Sequence, residues 1–247
     1  MAAILERLRG GLIVSVQPVR GGPLDRPDIV RALALAALAG GAAGLRVEGL
    51  RDLVAVRAAT DRPIIGLIKR HLPGLGVRIT PFADDVRAVA YGGADIVAVD
   101  ATARERPEPL GDLVRAIHGS GKVAMADLAD PLEAQAAAAL GFEVLGSTLA
   151  GYTRGGPEPD APDLELVAAL HALGRFTIAE GNIRTAAQAT AARAAGADAV
   201  CVGSAITRPE HSTAWFVRAL ADGSPPSPAR AAPTQQKPEP RTKGEQR

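Results

Sequence analysis

The sequence is poor in several residue types on which whole classes of protein depend. It has a single cysteine, Cys201, in 247 residues, which excludes a disulfide framework and any cysteine-based zinc site. Its four histidines form neither an H-x-H nor an H-E-x-x-H pattern, so we expect no metal centre. Positive and negative charges nearly cancel, at a formal net charge of +1, which argues against a nucleic-acid partner or an acidic membrane surface.

Long apolar runs are also missing. The longest uncharged stretch, residues 32–45, is short and contains three glycines, so it cannot span a bilayer. The first ten residues include Glu6, Arg7 and Arg9 without an apolar run between them, which is unlike a secretory signal peptide. We therefore expect a cytoplasmic protein with no membrane partner.

Short apolar runs alternate with Ala/Leu-rich stretches along residues 1–221. The apolar runs predict eight strands: Leu12–Gln17, Gly44–Glu48, Ile64–Lys69, Asp95–Asp100, Val123–Asp127, Val144–Ser147, Phe176–Glu180 and Ala199–Val202. Nearly continuous apolar strands are typical of parallel sheets that are covered on both faces. Eight strand–helix units in this length indicate an α/β protein, a single (β/α)8 TIM barrel. An open doubly wound sheet is disfavoured because no G-x-G-x-x-G follows the first strand.

The last 26 residues, 222–247, differ from this body. They contain six prolines and no aromatic residue. Such a segment buries too little apolar surface to order itself. We predict a barrel domain over residues 1–221 and a disordered, proline-rich tail over residues 222–247.

Polar residues mark the carboxyl ends of the predicted strands, where TIM barrels carry their active sites. Lys69 is the most informative, because only four of the 28 basic residues are lysines. An ammonium group loses its proton readily when it is buried, so Lys69 is a candidate acid/base group, although a simple ion pair with a carboxylate is the alternative. The residues of interest at these ends are Gln17, Arg46, Glu48, Lys69, Asp100, Thr102, Asp127, Tyr152, Thr153, Arg154, Glu180, Gly203, Ser204 and Arg208.

Glu180 ends the seventh strand, where its carboxylate is either an ion-pair partner of Lys69 or an acid/base group with a raised pKa. Asp127 and Asp100 are equally well explained as residues that only position Arg or Lys side chains. Two glycine turns follow the last two strands, and barrels of this type often bind phosphate there. We therefore predict that phosphate is bound by Gly181, Asn182, Gly203 and Ser204, with Arg208 supplying charge.

These residues resemble the N-acetylmannosamine-6-phosphate 2-epimerase family. The resemblance rests on ordered blocks that include GLIVSVQ at 11–17, GLIK at 66–69, AEGNI at 179–183 and VGSAITRP at 202–209. It implies a TIM barrel that interconverts N-acetylmannosamine 6-phosphate and N-acetylglucosamine 6-phosphate in sialic acid breakdown, without metal or cofactor. It also implies that Lys69 and Glu180 are the acid/base residues, and that substrate contacts are made by Gln17, Arg46, Asp127, Tyr152, Thr153 and Arg208.

Two other functions fit the same residues. Lys69 could form a Schiff base in a lyase that acts on a sugar phosphate. The chain could also be a non-catalytic sugar-phosphate-binding protein. In each case the partner is a small molecule, and we expect a homo-oligomer, a dimer. Trp215 and Phe216 on the last helix are predicted to lie in the core or in a subunit contact.

Overall fold

The computed structural model describes residues 2–153 and 159–221 of the chain. Its eight strands are all parallel and form a closed barrel in the order of the sequence, with the last strand paired to the first. This confirms the predicted (β/α)8 TIM barrel. The strands are β1 (Leu12–Val16), β2 (Gly44–Glu48), β3 (Ile64–Leu67), β4 (Ile96–Asp100), β5 (Val123–Asp127), β6 (Val144–Gly146), β7 (Phe176–Glu180) and β8 (Ala199–Val202).

Helices connect the strands around the outside of the barrel. Two of them are absent from the sequence-based prediction, a helix before β1 and a single turn after β8 (α1 and α9 below). The helices are α1 (Ala2–Leu8), α2 (Pro27–Ala39), α3 (Leu50–Arg57), α4 (Ala83–Tyr91), α5 (Leu110–Gly119), α6 (Pro131–Leu140), α7 (Leu164–Ala172), α8 (Ala186–Ala194), α9 (Ser204–Thr207) and α10 (Pro209–Ala221).

Local sequence signals explain where several helices begin and end. Asp130 caps α6 by accepting hydrogen bonds from the backbone N–H groups of Leu132 and Glu133, and the Glu133 side chain accepts from the backbone of Asp130 in return. This capping box satisfies N–H groups that have no partner within the helix. The helix ends at Gly141, whose φ of +100° is left-handed and favours glycine.

The apolar core is divided by the barrel wall into an inner and an outer part. Inside the barrel, Ile13, Ile65, Met125 and Ile178 pack together, and Leu8 of α1 belongs to the same cluster. Outside it, the other face of the strands packs against the helices. Because both faces of each strand are covered, the strands are mostly apolar, and apart from residues such as Arg46 and Thr177 their polar groups lie toward the carboxyl ends.

Lys69 lies two residues beyond β3, which ends earlier than the sequence predicts. It forms an antiparallel bridge with Ile79, and backbone hydrogen bonds join Thr80 to Ile68 and Arg70 to Arg78. Thr80 is fully buried and has a φ of +45°, which is uncommon for a threonine. The chain therefore folds back over the barrel mouth and clamps the backbone of Lys69 in place.

The predicted disordered tail, residues 222–247, lies outside the described residues. Within the described ranges, no helix combines the length and the apolar character needed to cross a membrane.

Candidate active site

A cavity of about 540 Å³ opens at the carboxyl ends of the strands. Its wall includes residues from β1, β2, β4, β7 and β8, so it occupies the barrel mouth. Several of the predicted site residues share this wall: Gln17, Arg46, Lys69, Tyr152, Glu180, Gly181, Asn182, Gly203, Ser204 and Arg208. Asp127 and Thr153 do not belong to it, and Arg154 lies outside the described residues.

Arg46 of β2 binds two carboxylates at the floor of this cavity. Its Nη1 and Nη2 donate to Oδ1 and Oδ2 of Asp127 at 3.1 and 2.7 Å, and Nη1 also lies 3.0 Å from Oε2 of Glu180. Arg46 and Asp127 are almost completely buried, and Glu180 is largely so. Asp127 is fully buried and does not belong to the cavity wall, so its substrate contact stays a prediction.

Burial and charge shift the proton affinities in this cluster. Burial raises the pKa of the Glu180 carboxyl, and the nearby negative charge of Asp127 raises it further, against the opposing effect of Arg46. Burial disfavours the charge of Arg46, but Asp127 and Glu180 outweigh this penalty and raise its pKa. Arg46 therefore stays charged, whereas Glu180 can take up a proton more readily than an ordinary glutamate.

Lys69 points into the same cavity without a carboxylate partner. Its Nζ donates a hydrogen bond to Oε1 of Gln17 at 2.6 Å, and Gln17 is oriented by donating from Nε2 to Oγ of Ser15 at 2.9 Å. Within residues 2–153 and 159–221, no carboxylate oxygen lies within 4.0 Å of this amine, so the predicted ion pair with Glu180 is not formed. Burial lowers the pKa of Lys69, and the positive charges of Arg46 and Arg208 lower it further, although Glu48 and Glu180 oppose the shift.

The predicted phosphate-binding turns lie side by side on the rim. Gly181 has a φ of +109°, which favours glycine, and Asn182 follows with a φ of +55°. Tyr152 donates its hydroxyl to Oδ1 of Asn182 at 3.0 Å. Ser204 begins α9, and the N–H groups of a first helical turn have no partner within the helix. Arg208 follows α9 and donates Nε–H to the backbone oxygen of Gln17 at 2.6 Å.

Several residues of the cavity wall were missed by sequence reasoning. Thr148 lies beyond β6 and donates its hydroxyl to Oδ1 of Asp127 at 2.6 Å. Cys201 on β8 pairs in register with Glu180, and burial together with the nearby charge of Glu180 raises the pKa of its thiol. Trp215 is not a core residue, because it lines the cavity and stacks on the guanidinium of Arg184 at 4.7 Å. The wall also contains Ser15, Arg78 and Arg104.

Among the described residues, no group of three or more His, Cys, Asp or Glu side chains is arranged to hold a metal ion. The chemical groups that the cavity offers are an amine with a lowered pKa, a carboxyl with a raised pKa and a glycine-rich rim beside an arginine. These features define an enzyme of the TIM-barrel class, equipped for proton transfer on a small anionic substrate.

Comparison with known proteins identifies the family. A family model described as "Putative N-acetylmannosamine-6-phosphate epimerase" matches residues 30–222. A putative N-acetylmannosamine-6-phosphate 2-epimerase of Klebsiella pneumoniae is 53% identical over 89% of this chain and 94% of its own length. The chain belongs to this family.

Two further comparisons are with a longer relative and with a solved structure of lower sequence identity. The bifunctional enzyme NanE/NanK of Brucella melitensis is 52% identical over 91% of this chain, but the chain spans only 43% of that relative. The structure of the N-acetylmannosamine-6-phosphate 2-epimerase from Clostridium perfringens superposes with a TM-score of 0.84 at 37% identity, covering 87% of this chain and 95% of that one.

Replacing Arg46 tests how the cluster is held together. We expect Arg46→Met to lower the free energy of unfolding by about 3–5 kcal/mol at pH 8, because it leaves two buried carboxylates without a cation. Each carboxylate then has a raised pKa in the folded protein, so the penalty is present above that pKa and fades as the pH falls. Urea unfolding at pH 8 and pH 5 measures the difference.

Arg87→Met is a suitable control, since Arg87 forms an exposed ion pair with Asp84 and its loss should change stability little at either pH. An equal loss of stability for Arg46→Met at both pH values would show that the carboxylates do not cause it.

Proposed function

We propose that this chain interconverts N-acetylmannosamine 6-phosphate and N-acetylglucosamine 6-phosphate in the cytoplasm, in sialic acid breakdown. Family membership and the shared barrel support the reaction. Its relatives carry this activity in their names. The residue roles that follow are part of the proposal.

One observation carries the assignment of roles. Lys69 follows β3 and Glu180 ends β7, and these strands lie four places apart in the closed ring of eight. The two side chains therefore reach the same cavity from opposite sides of the barrel mouth. Inversion at a carbon atom requires a base on one face and an acid on the other, and this placement provides both.

The proposed reaction exchanges the hydrogen at C2, the carbon that bears the acylamino group. This hydrogen is acidic only when the sugar opens to an aldehyde. Neutral Lys69 removes the C2 proton, and the C–H electron pair moves into an enolate that ends on the aldehyde oxygen. Glu180 then donates its proton to the opposite face of C2, which leaves an ammonium and a carboxylate that exchange protons with solvent before the next turnover.

The rest of the cavity binds the substrate. Gln17 orients the Lys69 amine, and Arg46 holds Glu180 in position, with Asp127 acting through Arg46. The phosphate fits at the rim, where Gly181, Asn182, Gly203 and Ser204 offer backbone N–H groups and Arg208 adds positive charge. Tyr152 and Thr153 complete the predicted contacts from the loop after β6.

Turnover in D₂O tests this function directly. We expect wild-type protein to convert N-acetylmannosamine 6-phosphate and to place one deuterium at C2 of the product. Lys69→Ala and Glu180→Gln should each reduce the rate by about 10²–10⁴-fold, because each removes a positioned acid/base group. Lys122→Ala is the matched control, since Lys122 precedes β5 at the opposite end of the barrel and should leave the rate unchanged.

The following outcomes would instead indicate a Schiff-base lyase or a non-catalytic binding protein. Conversion without deuterium at C2 would contradict the proposed chemistry, and covalent trapping of substrate on Lys69 by borohydride would indicate a Schiff base instead. Binding of the sugar phosphate without any conversion would indicate a binding protein.

We also propose that the chain forms a dimer through α10. No residue of this helix is buried, and its apolar side chains Phe216, Val217 and Leu220 are 73%, 60% and 83% exposed. Phe216 is thus not a core residue, and a subunit contact is the remaining sequence-based interpretation. Apolar residues grouped on one helix in this way are typical of an interaction surface.

Light scattering should give twice the chain mass of 25.3 kDa for the wild type. Phe216→Glu should shift the protein toward the monomer, because it places a charge in the proposed contact. Tyr91→Glu changes a residue on α4 that is 94% exposed and should leave the dimer intact. A wild type that is monomeric would contradict the proposal.

A further inference from the structure

Two buried carboxylates share one cation at the floor of the cavity. Nη1 of Arg46 lies 3.1 Å from Oδ1 of Asp127 and 3.0 Å from Oε2 of Glu180. With all three groups ionised, the cluster has a net charge of −1 in a site that excludes most water. Neighbouring carboxylates in such a site tend to bind one proton between them. The hydrogen bonds to each carboxylate determine which of the two residues holds that proton.

The hydroxyl of Thr148 lies close enough to both carboxylates to favour one of them. Its Oγ1 lies 2.6 Å from Oδ1 of Asp127 but 3.4 Å from Oε2 of Glu180. A hydroxyl carries one hydrogen, so it donates to the nearer oxygen. Asp127 then accepts three hydrogen bonds, one from Thr148 and two from Arg46, and such bonds stabilise the ionised form of a carboxylate.

The backbone around Thr148 fixes this geometry. The neighbouring Ser147 donates its hydroxyl to the backbone oxygen of Glu180 at 2.9 Å and accepts from the backbone nitrogen of Glu180 at 3.1 Å. Gly146 leaves room for the threonine, since a Cβ at that position would lie 3.1 Å from Oγ1 of Thr148 and 2.7 Å from Cε of Met125. The end of β6 thus holds both the backbone of Glu180 and the hydroxyl beside its carboxylate.

We propose that Thr148 is a positioning residue that keeps Asp127 ionised, so that the shared proton is held by Glu180. Thr148 acts through Asp127 and needs no contact with the substrate in this role. For the reaction, the consequence is that the proton lies on the carboxyl group that faces the cavity. The position of the proton is argued from the structure alone, and only its effect on the rate rests on the proposed function.

The pH dependence of kcat/KM tests the proposal through Thr148→Val, which removes the hydroxyl and keeps the shape of the side chain. Asp127 should then hold part of the shared proton, so the plateau of kcat/KM should fall. The pair should also keep this proton to higher pH, so the alkaline limb, which reports its loss, should move to higher pH by up to about one unit. Thr148→Ser should restore the wild-type profile. The titration of the substrate phosphate is common to all variants and cancels when their profiles are compared.

Thr177→Val is the matched control, because it removes a buried hydroxyl from the same strand as Glu180, where it donates to the backbone of Arg175. This control should leave the alkaline limb in place. If Thr148→Val lowers kcat/KM equally at every pH, the threonine is only a packing residue and the proposal is overturned.

Infrared titration of the free protein gives a second readout that needs no turnover. In Thr148→Val, a protonated carboxyl band should appear at higher pH than in the wild type, and adding Asp127→Asn should remove that gain. A gain that survives Asp127→Asn and disappears with Glu180→Gln would show that the Thr148 hydroxyl acts on Glu180 and not on Asp127, which would overturn the proposal. If wild-type protein fails to convert the sugar phosphate, the proposed function fails, while the infrared result still decides the role of Thr148.

Discussion

The site depends on one buried guanidinium. Arg46 is only 1% exposed, and a charge in such a position is tolerated only when it is paired. It takes both nearby carboxylates, Asp127 through a two-point contact and Glu180 through a single one. Among the described residues, Arg46 makes the ion pairs with these two carboxylates, and Lys69 in the same cavity is hydrogen-bonded to Gln17 instead. The lowered pKa of the lysine and the raised pKa of the glutamate thus follow from one arrangement of charge and burial.

The barrel makes that arrangement possible. A closed ring of eight parallel strands brings every carboxyl end to one mouth and covers both faces of every strand with apolar side chains. Polar groups at the mouth therefore meet each other in a poorly solvated space, where their interactions are stronger than in water. Lys69 and Glu180 are far apart in sequence, yet they face each other across this space.

Much of this could be predicted from the sequence, and the failures have identifiable causes. Apolar runs located all eight strands, and the scarcity of lysine singled out Lys69. Contacts between residues distant in the chain were not predictable in the same way. Of the two alternatives for Glu180, the ion pair with Lys69 is not formed, because Arg46, from a third strand, lies 3.0 Å from the glutamate. The fold-back at Ile79 depends on a tertiary contact and a left-handed Thr80, for which no sequence signal was recognised. Thr148 was missed because a threonine after a strand is common, and only the distance to Asp127 distinguishes it.

The proton affinity of Lys69 is the most direct test of the central claim. The chain contains only four lysines, so a protein labelled with ¹³C at the lysine Cε positions should give few enough signals for Lys69→Arg to assign the one of interest. Its titration followed by NMR should show Lys69 losing its proton below the ordinary lysine range. A Lys69 that titrates in the ordinary lysine range or above it would contradict the account, because the amine would then be charged when the C2 proton has to be removed.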